Sequence, residues 1–158
     1  TSQNGYGRLN LTDAWIGTGS GSGLGPSLAN VTSTTLTAGG FLDLGVTAVS
    51  YLFATCAGVS KVGSYTGTGT TKQVDCGFAA GARFVMIKRT DSTGDWYVWD
   101  TARGIVSGND PYFLLNTTAA EVTSTDYVDT YAAGFELSST APAAINASGG
   151  TYIFLAIA

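Results

Sequence analysis

The sequence predicts an all-β protein, an antiparallel β-sandwich or jelly-roll-like fold, preceded by a flexible Gly/Ser-rich N-terminal arm. Three observations carry this. From Val31 onward, runs rich in Val, Thr, Tyr and Phe are broken by Gly-containing turns roughly every eight to twelve residues. No window of about twelve residues repeats apolar positions with helical period. The chain has 158 residues, the size of one domain, and 44% of them are hydrophobic, enough to fill a core.

Residues 1–30 read as the arm. Ile16-Gly17-Thr18-Gly19-Ser20-Gly21-Ser22-Gly23-Leu24-Gly25-Pro26 has linker composition, because Gly loses the most freedom on ordering. It is either a mobile loop or a segment that orders on a neighbouring subunit. Residues 31–158 read as the β-rich domain. Arg83-Phe84-Val85-Met86-Ile87-Lys88-Arg89 is apolar on both faces, which predicts a strand buried on two sides. Trp96-Tyr97-Val98-Trp99-Asp100 follows a turn at Asp91-Ser92-Thr93-Gly94, and the two runs form a hairpin. Further strands are expected near 31–37, 48–56, 61–66, 72–78, 126–130, 134–138 and 151–157. A short helix is expected near 111–120, with Asp110 as its cap and Pro111 in its first turn. Thr151 to Ala158 is an apolar run without a polar tail, expected inside a sheet or against a partner, because an unpaired strand of this kind aggregates. The chain starts at Thr1 rather than Met, so a processed chain or a segment of a longer product is expected.

An internal echo accompanies these elements. Ala38-Gly39-Gly40-Phe41-Leu42-Asp43-Leu44 resembles Ala132-Ala133-Gly134-Phe135-Glu136-Leu137, and Tyr51 to Ala57 resembles Tyr152 to Ala158 in the same order. A repeated strand-turn-strand unit over 38–57 and 132–158 is the expectation, an arrangement that suits extended fibres and shells.

Composition then removes several functional classes. Net charge is −4 and the pI about 4.4, against the basic face that nucleic-acid binding needs. With no His in the chain, His-based zinc sites and Ser-His-Asp or Cys-His chemistry are unavailable. No apolar run reaches the ~18–20 residues of a membrane span. Charged residues are 11% of the chain, against about 25% in ordinary domains. So little charge is expected where neighbouring subunits cover much of the surface.

Several motifs occur in order: Ser60-Lys61-Val62-Gly63-Ser64-Tyr65-Thr66-Gly67-Thr68-Gly69, Gly77-Phe78, Phe84 through Trp96, Asp100-Thr101-Ala102-Arg103, Gly134-Phe135-Glu136-Leu137, and Asn146 through Ile153. Together they resemble a module of tailed-bacteriophage virion proteins, found in tail-fibre-like and other large phage structural proteins, often after lectin-like β domains, and without an assigned activity. The resemblance covers roughly residues 48–158. It implies a structural virion component in a fibre, spike or capsid-decorating appendage, located in the virion. Its partners are then other virion proteins and copies of itself, as a homotrimer.

Candidate residues are weighed on that background. Trp96, Tyr97 and Trp99, with Tyr127, Tyr131 and Tyr112, are the strongest binding candidates, because aromatic faces stack on sugars and concentrate at interfaces. They support a second reading, a host-surface glycan-binding adhesin domain, although core filling explains them equally well. Cys56 and Cys76 stand either as two buried free thiols or as a disulfide; assembly in a reducing cytosol favours the thiols. Asp91, Asp95 and Asp100 match no calcium loop and read as turn aspartates. Asp126 and Asp129, with Glu121, resemble a glycosidase pair, but a three-residue step points the two aspartates to opposite faces of a strand. Arg83, Lys88, Arg89 and Arg103 read as salt-bridge partners within or between subunits, ahead of a patch for anionic lipopolysaccharide. The expectation is a protein without enzymatic activity, metal or cofactor, and with a polysaccharide depolymerase as the least favoured reading.

Overall fold

The computed structural model describes residues 5–6, 9, 11–14, 16–17, 27–31, 36–39 and 53–158. In chain order the strands are β1 (Gly5–Tyr6), β2 (Ile16–Gly17), β3 (Ser27–Val31), β4 (Leu36–Gly39), β5 (Ser60–Thr66), β6 (Lys72–Asp75), β7 (Phe84–Arg89) and β8 (Trp96–Asp100). There follow β9 (Phe113–Leu114), β10 (Val128–Tyr131), β11 (Gly134–Leu137), the one-turn helix α1 (Ala143–Asn146) and β12 (Thr151–Ile157). One sheet has the order β5-β12-β7-β8-β9 and a second the order β10-β11-β6, with every pairing antiparallel. Buried Tyr65, Val85, Ile87, Trp99 and Tyr152 from the first sheet meet Val74, Val128, Phe135 and Leu137 from the second in one core. This is the all-β sandwich that the strand periodicity predicts.

The C-terminal apolar run is explained within the chain. β12 lies between β5 and β7, paired to both over most of its length. Its alternation places Tyr152, Phe154 and Ala156 in the core and Ile153, Leu155 and Ile157 on the outer face. The apolar terminus therefore needs no partner subunit. Register across the outer face gives one wholly apolar row, Val62–Leu155–Met86–Val98–Phe113, spanning all five strands. Leu155 and Val98 are buried, Met86 and Phe113 half-buried, and Val62 exposed.

Lys88 shares this face and is 1% exposed. Its ammonium donates to the carbonyl oxygens of Thr12, at 3.0 Å, and Gly94, and sits 5.9 Å from the Trp96 ring centroid. The Gly94 amide donates to the same Thr12 carbonyl at 2.8 Å, so the residues around Thr12 lie over that end of the sheet.

Most expected strands appear within two or three residues of their predicted limits. The exceptions have local causes. Residues 31–37 do not form one strand: β3 ends at Val31, β4 starts at Leu36, and the two pair with each other. The stretch read as an arm contains β1, β2 and most of β3, with β1 paired to β2; residues 9 and 11–14 are described and form no strand, and the remainder lies outside the described residues, as do residues 48–52 of the strand expected at 48–56, whose described part, 53–56, contributes only a bridge at Cys56, and most of the first copy of the repeat. No helix occupies 111–120. Tyr112 bridges to Val122 and β9 pairs with β8, because the Asp110 carboxylate is engaged by amides far along the chain rather than by the following turn.

The single described helical turn, α1, was not anticipated. Two core tyrosines anchor it. Tyr65 and Tyr152 stack with ring centroids 4.9 Å apart. The Tyr65 hydroxyl donates to the Ile145 carbonyl at 2.6 Å, and the Tyr152 hydroxyl donates to the Ala143 carbonyl at 2.8 Å. Buried Asn146 accepts from the Thr68 amide at 2.9 Å and donates to the Thr70 carbonyl at 2.7 Å. Every polar atom brought into this corner thus has a partner, as burial demands.

Candidate functional site

Alternation along β8 separates the aromatic candidates. Tyr97 and Trp99 point into the core, while Trp96 and Val98 occupy the outer face. The Tyr97 and Trp99 rings are nearly parallel at 5.7 Å. Tyr112 approaches them at 5.1 and 5.7 Å, and Tyr127 extends the cluster 5.7 Å beyond Tyr112. Tyr97, Trp99 and Tyr127 are therefore brought together by Tyr112, Trp96 lies across the sheet, and Tyr131 makes no ring contact among the described residues. Trp96, Tyr97 and Trp99 are buried, whereas Tyr112, Tyr127 and Tyr131 are half-buried. Only the Tyr112–Tyr127 end of the cluster offers ring surface to a ligand. Burial pushes the Tyr97 hydroxyl up to about 12 and raises that of Tyr112.

Asp110 is the polar anchor of this end. It is fully buried, and its carboxylate accepts from the Tyr127 amide at 2.9 Å and the Val128 amide at 2.8 Å. Burial drives its pKa up to about 6 despite these bonds, with Asp126 and Asp129 adding repulsion. Asp129, raised chiefly by its own burial, accepts from the Gly108 amide at 3.3 Å.

The remaining charged candidates disperse. Asp91 pairs with Arg89 at 2.9 Å, and that bond holds its carboxyl below the ordinary range. Asp95 accepts from Asn116 at 2.8 Å. Asp100 and Glu121 both bind Arg103, the latter at 2.8 Å. Among the described residues no three His, Cys, Asp or Glu side chains converge as a metal site. Cys56 and Cys76 are unbonded. Cys76 is buried, and desolvation lifts its thiol to about 11, whereas Cys56 is exposed, contrary to the expectation of two buried thiols.

A second concavity went unnoticed in the sequence. β5 and β6 are edge strands of different sheets, and the space between the sheets opens between them. The resulting cleft, of about 400 Å³, is bordered by Lys61, Gly63, Tyr65, Lys72, Asp75 and Phe154 among others. Lys61 shares the inward face of β5 with Tyr65, and Lys72 shares the inward face of β6 with Val74, so both lysines face the gap. A Cβ at Gly63 would stand 2.8 Å from the Phe154 ring, so the absent side chain is what lets that ring lie over β5. The only signal in the sequence was the two-residue spacing Lys61-Val62-Gly63 and Lys72-Gln73-Val74, which acquires meaning once both strands are known to be edges.

Comparison with known proteins gives one family. Residues 1–158 match the family described as Domain of unknown function (DUF7483). No curated protein and no solved structure matches the chain.

Proposed function

We propose that this chain, which belongs to the DUF7483 family, is a structural component of a bacteriophage virion, in a tail fibre, spike or capsid-decorating appendage, and assembles there as a symmetric trimer with copies of itself. The observation that carries the reading is an apolar patch at the β5 edge: Phe53, Val59 and Val62 are 57%, 54% and 43% exposed. Val62 is also the open end of the apolar row on the outer sheet face. Monomers seldom leave such residues together in water, and burying them is worth about 25 cal/mol per Å². A threefold contact sets the patch of each copy against another surface of the next and closes the ring. The low charge content, 11%, leaves little like-charge repulsion to oppose it. The resemblance of residues 48–158 to phage virion modules supplies the setting. Sedimentation velocity at micromolar concentration tests the association. The wild type sediments as three 16.1 kDa chains and a Phe53→Ser/Val62→Lys variant as one; a monomeric wild type overturns the proposal.

A second reading, a saccharide-binding domain acting at the host surface, is favoured by the half-buried Tyr112 and Tyr127 rings at the open end of the aromatic cluster. Glycan binding that is reduced by Tyr127→Ala supports it, and silence of the wild type on a host glycan array removes it.

A further inference from the structure

We propose that residues 53–56 are a self-blocking strand: by continuing their hairpin with β5 they carry Phe53 into the β5–β6 cleft and withdraw it from the patch through which copies of the chain associate. The inference rests on the assembly reading above and gives that contact its control. Register carries it. Cys56 and Ser60 exchange both main-chain bonds at 2.9 Å, across a turn that Gly58 makes at φ 71°. Ile157, the counterpart of Cys56 in the internal echo, opposes the same Ser60 from the other side of β5, and both partners run antiparallel to it. Carried on, the hairpin sets Thr55 opposite Lys61 and Phe53 opposite Gly63, the places that Ala156 and Phe154 hold in β12. Directly opposed residues share a face, so Phe53 turns inward as Phe154 does. There β5 presents Gly63, which has no side chain, and the entering ring meets the Phe154 ring at its edge with Val74 across the gap. The cleft of about 400 Å³ has room, since ~150 Å³ takes a benzene ring. The stems of Lys61 and Lys72 flank the ring while their ammonium groups stay in water.

The structure holds the open form, and Thr55 is its latch. After Cys56–Ser60 the next rung belongs to Ala54 and Val62. Instead the Thr55 hydroxyl accepts from the Val62 amide at 3.2 Å and donates to the Val62 carbonyl at 3.3 Å, while the Ser60 hydroxyl donates to the Ala54 carbonyl at 2.8 Å. One side chain thus occupies both groups that the next rung needs, and Phe53 stays exposed beside Val59 and Val62. Thr55→Val removes the latch and keeps the shape. Sedimentation velocity of this variant should show at least about tenfold weaker association than the wild type, as for a copy that is open one time in ten. Its NMR spectrum should show an Hα–Hα contact between Phe53 and Gly63 and slowed exchange of the Ala54 amide. Adding Ala54→Pro, which deletes the amide of the new rung, should restore association. The plainer account of Thr55 is edge protection, and it predicts the reverse. Stronger association of Thr55→Val than of the wild type therefore overturns the proposal. Weaker association without the Phe53–Gly63 contact overturns the closure, and closure with unchanged association overturns its control of assembly. A monomeric wild type overturns the assembly reading; the closure then stands if Thr55→Val shows the Phe53–Gly63 contact and falls if it does not.

Discussion

Replacement of Asp110 by Asn removes a buried charge while keeping the side-chain shape, and its effect should change with pH in a calculable way. Burial raises the Asp110 pKa from the ordinary 3.8 to about 6. The folded protein thus holds a proton through a range in which the unfolded chain has released it. The contribution to stability is complete below the unfolded pKa, near 3.9, and is lost as pH rises to about 6. At about 1.36 kcal/mol per pH unit the full contribution is ~3 kcal/mol, and because the unfolded group is already about half ionised at pH 4, the wild type loses about 2.3 kcal/mol of it between pH 4 and pH 7. Asn does not titrate, so the variant lacks this term. It carries a separate, constant cost of about 1–3 kcal/mol, because its amide NH₂ must face one of the amides that the carboxylate accepts from. Asp129, whose pKa is also raised, titrates in both proteins, so only its repulsion of Asp110 enters the comparison. Urea unfolding followed by tryptophan fluorescence at pH 4, 5, 6 and 7 measures the difference. The wild type should gain about 2.3 kcal/mol over the variant as pH falls from 7 to 4. A difference that stays constant across that interval would refute the burial argument.

Two further outcomes follow from close contacts and solvent access. A Cβ at Gly134 would stand 2.1 Å from the Val74 carbonyl oxygen and 3.0 Å from the Cys76 amide, both backbone atoms of the neighbouring chain segment. Gly134→Ala should therefore cost about 3 kcal/mol or more and lower Tm by roughly 10 °C in calorimetry; a shift within ~1 °C would show that the second sheet yields freely. The two thiols should separate in reactivity: with its thiol lifted to about 11, Cys76 is about one part in a thousand thiolate at pH 8, while Cys56 is exposed. A disulfide reagent should titrate one thiol quickly and the second only in denaturant, and two fast thiols in the native protein would contradict the burial of Cys76.

The sandwich was legible in the sequence wherever alternation and turn residues act locally. The Phe84–Arg89 and Trp96–Asp100 hairpin and the Lys72–Asp75, Gly134–Leu137 and Thr151–Ile157 strands all carry their pattern in their own residues. The misreading at 111–120 has the opposite cause. Asp110-Pro111 is a sound helix start by local rules, but the carboxylate satisfies Tyr127 and Val128, 17 and 18 residues later, and no short window contains that competition. The aromatic candidates show the same limit. Trp96, Tyr97 and Trp99 look alike as binding residues, and only the layer on each side of β8 makes them core. The β5–β6 cleft depended on which strands end up as edges, a property of the whole topology rather than of Lys61 or Lys72.

The central place of β12 has a consequence for how the molecule is made. Every other strand of its sheet precedes it in the chain, so β5 and β7 emerge with facing edges that nothing yet fills. Completing the sheet is then closure across long sequence separations, which is slow and leaves sticky intermediates. Any interruption of synthesis before Thr151 leaves two ribbons with no seam between them, and a neighbouring nascent copy could supply its own β12 to the waiting gap.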